Sequence, residues 1–283
     1  MSQQPTYVFV HGTHSNAHHW TWTMQELALR GRRTLAVDLP GHGVDAYIPE
    51  SYQRQDLAAM ATEPSPLAKL TADDYADHVE SVVTRAHANG PVVLVGHSQG
   101  GVSLSLTANR IPERIQRLVY ISAFCCIDKP TMVDYMSIPE LLTEEAMQVM
   151  NLPFIVGGDQ QGVSRMNWRS ADPRFEEAFR RLNAHTSSIE QSRALHQMVQ
   201  PDEPTAVTVA DARGHADTWG TVPRSYIRLT EDRFLPPVMQ DRFIAEADRL
   251  TPDNPFDVHS VASPHFLPQS QELVAILDGL GER

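Results

Sequence analysis

Cysteine is scarce in this chain: only Cys125 and Cys126 occur, and they are adjacent. Neighbouring cysteines rarely satisfy disulfide geometry, so no disulfide framework is expected, and a reducing, cytoplasmic home follows. Basic charge is also short. There are 23 Lys plus Arg against 35 Asp plus Glu, a net charge of −12. Nucleic acid and anionic lipid are both held by clustered Lys and Arg, so neither is an expected partner. Long apolar runs are missing, and none approaches the roughly 18 residues of a membrane helix. The opening Met1-Ser2-Gln3-Gln4-Pro5 has no basic n-region and no apolar h-region, so no signal peptide is expected. What remains is an ordinary globular mixture of 283 residues, 41% hydrophobic and 20% charged, enough for one large α/β domain or two small ones.

Short apolar runs alternate with helical patterns. The runs are Tyr7–Val10, Leu35–Val37, Val92–Val95, Leu118–Ile121, Tyr226–Leu229 and Val258–Val261. They are continuous rather than alternating, which predicts strands covered on both faces. Between them, Thr71 and Asp74 form a capping-box variant, followed by Tyr75, Val79, Val82, Val83 and Ala86 at helical spacing and stopped by Asn89-Gly90-Pro91. Ser270 opens a last helix that offers Leu273, Val274, Ile276 and Leu277 for packing. Repeated strand–helix units predict an α/β protein with a mainly parallel, doubly wound sheet of about six strands. From Cys125 to Trp219 the rhythm breaks into helical stretches at Pro139–Met150, Asp172–Leu182 and Ser187–Gln200, separated by loops that include Gly157-Gly158. This predicts a helical cap, residues 125–219, inserted after the fourth strand into a core of residues 1–124 and 220–283.

Gly96-His97-Ser98-Gln99-Gly100 has the form G-x-S-x-G, after a buried run and before the helical Val102–Asn109. In that strand–turn–helix setting the serine stands exposed above the sheet as a nucleophile. A hydroxyl needs a base, and the base needs an orienting acid, in chain order Ser, Asp or Glu, His. His265 follows the last strand, whereas His259 lies within it and is the weaker choice. Asp232 directly follows Tyr226–Leu229, with Glu231 as the alternative. His11-Gly12-Thr13 closes the first strand, so the backbone N–H groups of Thr13 and Gln99 are the expected oxyanion donors. His14, His18 and His19 have no cysteine or acidic partner at ligand spacing, so no metal is expected, and no other cofactor is indicated. His18, His19, Trp20 and Trp22 are expected to open the first helix and line the pocket mouth. Asp38–Gly43 reads as a structural turn.

These segments resemble esterases of the α/β-hydrolase fold, especially the group of plant methyl esterases, hydroxynitrile lyases and bacterial pyrethroid hydrolases. The resemblance rests on Val8–Gly12, Asp38–Gly43, Gly96–Gly101, Tyr120–Phe124, Trp219, Val222–Ile227 and Thr230–Asp232. It implies a sheet without the two leading strands of larger hydrolases, a helical cap, and a triad of Ser98, Asp232 and His265. Two features depart from that group: Ser263-Pro264 precedes the histidine, where Gly or Asp is usual, and Thr251–Pro255 lengthens the stretch from Asp232 to His265.

The expected function is hydrolysis of a carboxylic ester or lactone by a monomer or homodimer. A lyase of this group would carry a lysine beside the histidine, but Phe266 stands there and the only lysines are Lys69 and Lys129. Cyclisation, acyl transfer and ligand reception are alternatives on the same scaffold. The cap residues Met132, Met136, Met147, Met150, Phe154, Met166, Trp168 and Met198, with Phe124, Trp219 and Phe266 around the triad, predict a small, uncharged, largely apolar substrate. Arg165 and Arg169 are the residues that would instead hold a substrate carboxylate.

Overall fold

Each of the six apolar runs lies in a strand. The computed structural model describes residues 4–139, 141, 147, 156, 162–266 and 270–281. Its main sheet is built from β1 (Thr6–Val10), β2 (Arg33–Val37), β3 (Val92–Ser98), β4 (Arg117–Ala123), β7 (Arg224–Leu229) and β8 (Asp257–Val261). The spatial order is β2-β1-β3-β4-β7-β8, and every pairing is parallel.

Successive side chains on a strand point to opposite faces, so the continuous apolar runs feed two cores. Val8, Val10, Leu94, Leu118, Tyr120 and Tyr226 go to one, while Tyr7, Phe9, Val93, Val95, Val119 and Ile227 go to the other. Helices α1 (Thr21–Leu29) and α7 (Gln271–Leu280) cover the second face through Leu27, Leu273, Val274 and Leu277. The first is covered by α2 (Ala72–His87), α3 (Gly100–Arg110) and α6 (Pro237–Leu250). In α2 the capping box is complete, since Thr71 and Asp74 each accept the other's backbone N–H. Tyr75, Val79 and Val83 then point inward, each burial worth roughly 1.5–3 kcal/mol. β8 departs from the expected two-sided burial: it is an edge strand, and Val258 is 42% exposed.

The insertion between β4 and β7 holds α4 (Pro173–Asn183) and α5 (Ile189–His196), which overlap two of the expected helices, the second being shorter than the Ser187–Gln200 pattern. The expected Pro139–Met150 helix lies mostly, and Phe154 and Gly157-Gly158 wholly, outside the described residues. The insertion is not purely helical. β5 (Val163–Arg165) and β6 (Asp202–Pro204) pair antiparallel. Trp168, Phe175, Phe179 and Ala184 form a third hydrophobic cluster with Tyr52 and Met60 from outside the insertion. Cys126, Met132, Tyr135 and Val207 pack instead into the main core.

β1 has β2 on one side and β3 on the other, so the winding direction reverses between β1 and β3. Loops leaving the C-terminal ends of such a strand pair diverge and leave a crevice. His11–His14 after β1 and Ser98–Gln99 at the end of β3 bound it here.

Candidate active site

Ser98 ends β3 with φ at +54°. A side chain in that left-handed region is strained, and the surrounding structure must hold it there. The Ser98 carbonyl accepts the Phe124 N–H at 3.1 Å. Gly100 has no room for a side chain, because a Cβ would stand 2.8 Å from the carbonyl oxygens of Val10 and His11. The turn therefore seats α3 against the end of β1 and lifts the serine hydroxyl to the C-terminal edge of the sheet.

His265 Nε2 lies 3.1 Å from Ser98 Oγ, and its Nδ1 lies 2.6 Å from Asp232 Oδ2. The carboxylate can only accept, so Nδ1 carries the proton and Nε2 is left as the acceptor for the serine hydroxyl. All three residues are buried. Asp232 Oδ2 also accepts from Ser122 Oγ at 2.6 Å, and Oδ1 accepts the N–H groups of Phe234 and Leu235, each at 2.8 Å. Glu231 points elsewhere, 3.4 Å from His185 Nε2 and partly exposed. His259 lies 3.2 Å from Asp257 on the edge strand β8. Ser263 and Pro264 are buried before the histidine, and the Phe266 N–H binds the Asn183 carbonyl at the end of α4. The extra Thr251–Pro255 stretch is absorbed at the entry to β7, where Asn254 Nδ2 donates to the carbonyls of Gly220 and Val222, both at 2.9 Å.

Ser122, Phe234 and His97, for which the sequence suggested no role, complete the surroundings together with His19, expected at the pocket mouth. The Ser122 hydroxyl reaches Asp232 because β4 is irregular there: the register with β3 shifts after His97, and Ser122 has φ at +37°. Phe234 packs its ring on His265 at 4.7 Å, and His97 packs there at the same distance. His97 in turn stacks on His19 at 5.1 Å. Burial, and then the neighbouring His265, holds His97 well below its usual pKa and His19 down to about 4. Both rings are neutral at pH 7, so His265 is flanked by apolar and uncharged surfaces.

His11 Nδ1 donates to the Gly12 carbonyl at 2.9 Å, and its Nε2 accepts the Leu39 N–H at 3.1 Å, tying the loop after β1 to the Asp38–Gly43 turn. Burial, then His42, pushes the pKa of His11 down to about 3. A Cβ on Gly12 would stand 2.9 Å from Ser98 Cβ, so this loop lies directly against the nucleophile. Thr13 Oγ1 donates to Gln99 Oε1 at 2.8 Å. Among the described residues neither the Thr13 nor the Gln99 backbone N–H has an intramolecular acceptor.

The expected pocket residues divide. Phe266 packs on Phe179 at 5.3 Å and on His19 at 6.2 Å, between the third cluster and the triad. Trp168 is buried in that cluster with its indole N–H on the Gln200 carbonyl at 2.7 Å and its ring beside His14. Phe124 and Met132 are buried in the main core, the former against Phe243. Trp219 is fully buried there, bonded to Tyr120 Oη at 2.8 Å and stacked under Arg224, so its described contacts are core contacts. His18 is exposed, while Trp20 is buried at the start of α1. Met147 and Met198 are exposed, and Met150 lies outside the described residues. Arg165 is committed: it forms a two-pronged pair with Asp202, at 2.6 and 2.7 Å, and donates to the carbonyls of Met60 and Glu63. A cleft of about 890 Å³ beside β2, lined by Arg33, Val37, His78 and Arg85 among others, contains none of the triad residues.

Among the described residues no group of His, Cys, Asp and Glu is arranged to hold a metal ion, and no helix is long and apolar enough to cross a membrane.

Known proteins are similar to this chain in sequence and in fold. The chain is 24% identical over 241 residues to an alpha-hydroxynitrile lyase of Arabidopsis thaliana, covering 83% of this chain and 82% of that one. It is 25% identical over 267 residues to methylesterase 17 of the same plant, covering 93% and 86%. The fold superposes on a crystal structure of a polyneuridine aldehyde esterase variant with a TM-score of 0.73 at 21% identity, over 98% of this chain and 99% of that one. The model of the alpha/beta hydrolase family matches residues 7–276, which takes in the elbow at Ser98, the acid after β7 and the histidine after β8, and the chain belongs to that family.

Proposed function

We propose that this protein is a carboxylic ester hydrolase working through an acyl-enzyme on Ser98. The observation that carries the reading is the continuous array Ser98–His265–Asp232 at the end of a strained strand–turn–helix elbow. His265 Nε2 takes the hydroxyl proton as Ser98 Oγ attacks the ester carbonyl, and returns it to the leaving alcohol. Asp232 holds the imidazole in the required tautomer and stabilises the imidazolium. The N–H groups of Thr13 and Gln99, without internal acceptors, receive the oxyanion, the second from the start of α3, where the helix dipole favours negative charge. Water then releases the acyl group by the same steps.

The substrate in this reading is small, uncharged and largely apolar. Phe234 and neutral His97 pack on His265, neutral His19 stacks on His97 with Phe266 beside it, and the buried arginine of the insertion is neutralised by Asp202. One protomer carries the whole triad, so the reading needs no more than a monomer and is compatible with a homodimer. The cytoplasmic assignment rests on the sequence.

A panel of neutral p-nitrophenyl esters and lactones, matched with anionic esters, tests the proposal. Wild type should turn over the neutral series and gain one phosphonate mass on Ser98. Ser98→Ala should lose roughly four orders of magnitude in turnover and gain no mass. Equal labelling of Ser98→Ala would remove the nucleophile assignment, and preference for the anionic series would remove the apolar site.

A further inference from the structure

Glu203 lies on β6, in the insertion, yet its buried carboxylate reaches the loops on both sides of the crevice. Oε2 accepts the His14 backbone N–H at 2.7 Å and faces His42 Nε2 at 3.0 Å. Oε1 accepts from Gln99 Nε2 at 2.7 Å and from Tyr75 Oη at 3.1 Å. Four donors converge on one carboxylate, and two of them belong to residues that flank or carry the oxyanion donors. His14 follows Thr13 and has φ at +58°, a strained conformation that an anchored N–H helps to hold. Gln99 is held from its other end by Thr13 Oγ1 at 2.8 Å, so Glu203, Gln99 and Thr13 form one chain of hydrogen bonds across the crevice.

A negative charge beside an oxyanion hole opposes the charge that develops there, unless it is compensated. His42 supplies the compensation. Burial works against a charged imidazole, but the Glu203 carboxylate outweighs it and raises the His42 pKa. Burial likewise works against the carboxylate, but His42 and the His14 N–H draw Glu203 down to about 2. Both His42 nitrogens face oxygen acceptors, Nε2 the Glu203 carboxylate and Nδ1 the Pro40 carbonyl, so the ring donates from both and the pair is close to neutral as a unit. His42 is fixed in turn by the Pro40 carbonyl, 3.1 Å from its Nδ1.

We propose that Glu203, paired with His42, is a positioning residue that sets the aim of the oxyanion donors by anchoring the Thr13–His14 peptide and the Gln99 side chain. This rests on the ester-hydrolase reading. It makes β6 part of the catalytic scaffold, so the insertion does more than cover the site. Glu203 touches no reacting atom in this scheme. Its loss should lower kcat, where the oxyanion is stabilised, and leave KM nearly unchanged.

The test measures kcat and KM for one neutral ester with wild type, Glu203→Gln, Glu203→Ala and Gln99→Leu. Active centres are counted by phosphonate titration, so kcat is per competent site. Gln99→Leu leaves Glu203 and its other donors in place, and guards against poor folding of the Glu203 variants. Each variant should lose roughly 10–100-fold in kcat per titrated site, less than the 10²–10³-fold of an oxyanion donor removed outright, with KM within about threefold. A brace for folding alone would lower the titrated fraction and the melting temperature but leave kcat per site at the wild-type value. That outcome, in Gln99→Leu and in whichever Glu203 variant folds, overturns the inference alone. A wild type that is neither labelled nor active overturns the hydrolase reading and the inference with it.

Discussion

At Asp232 two carboxylate oxygens serve four donors: His265, Ser122 and the N–H groups of Phe234 and Leu235. The two backbone donors fix the carboxylate plane, and the Ser122 hydroxyl fixes the oxygen that His265 uses. Glu231, one residue earlier, faces His185 and solvent. Asp232→Asn replaces one acceptor with an NH2 that favours the wrong histidine tautomer, so kcat should fall by roughly 10⁴-fold. Glu231→Gln should leave kcat/KM within about twofold, since exposed ion pairs contribute roughly 0–1 kcal/mol. Steady-state kinetics on the two variants checks the assignment, and equal losses would move it to Glu231.

The elements place these residues by close approach. The loop after β1 lies so near the elbow that a Cβ at Gly12 would meet Ser98 Cβ at 2.9 Å and the His97 carbonyl at 3.2 Å. Gly12→Val must therefore move the loop, and with it the Thr13 N–H. A loss of at least the roughly 10²–10³-fold of one oxyanion donor is expected in kcat. Thr13→Ala keeps the N–H and removes only the hydroxyl that donates to Gln99. Its loss should stay near or below 10-fold, because a neutral hydrogen bond is worth about 1 ± 0.5 kcal/mol. A larger effect of Thr13→Ala than of Gly12→Val would make the hydroxyl, and not the backbone, the oxyanion donor.

Across the whole molecule the buried histidines set the response to acid. Burial first of all lowers the pKa of His11 to about 3, of His19 and His196 to about 4, and of His14 and His97 in the same direction. Unfolding returns these side chains to about 6.5. The unfolded chain thus binds more protons as pH falls below about 6.5, and stability is lost from there downward. Glu203 adds a loss below its unfolded value near 4.5, as pH falls towards about 2. His42 opposes the trend: its raised pKa contributes stability that is full below about 6.5 and lost as pH rises through the folded value. Five lowered histidines outweigh one raised, so the urea midpoint should be lower at pH 5 than at pH 7. A midpoint that rises on acidification would mean that the folded chain binds more protons than the unfolded one, so that burial does not hold these rings below about 6.5.

The α/β alternation, six main-sheet strands, capping at Thr71 and Ser270, and the nucleophile elbow were legible in the sequence, because each is a local pattern. Strand runs, cap residues and G-x-S-x-G depend on neighbours a few residues away, and the chain order of the triad narrowed the acid and the base. The hydroxyl of Ser122 on Asp232 was not legible, since it depends on a register shift between β3 and β4. Neither was the pairing of β5 with β6, whose three-residue strands are too short to show periodicity. Trp219 looked like a pocket residue from its type and position, and packing against Tyr120 and Arg224 placed it in the core. Arg165 looked available to a substrate until Asp202, 37 residues away, took both prongs of its guanidinium. Glu203 carried no sequence signal. Its partners His14, His42, Tyr75 and Gln99 lie 104 to 189 residues away along the chain, and only the folding of the insertion onto the sheet brings them within hydrogen-bond distance.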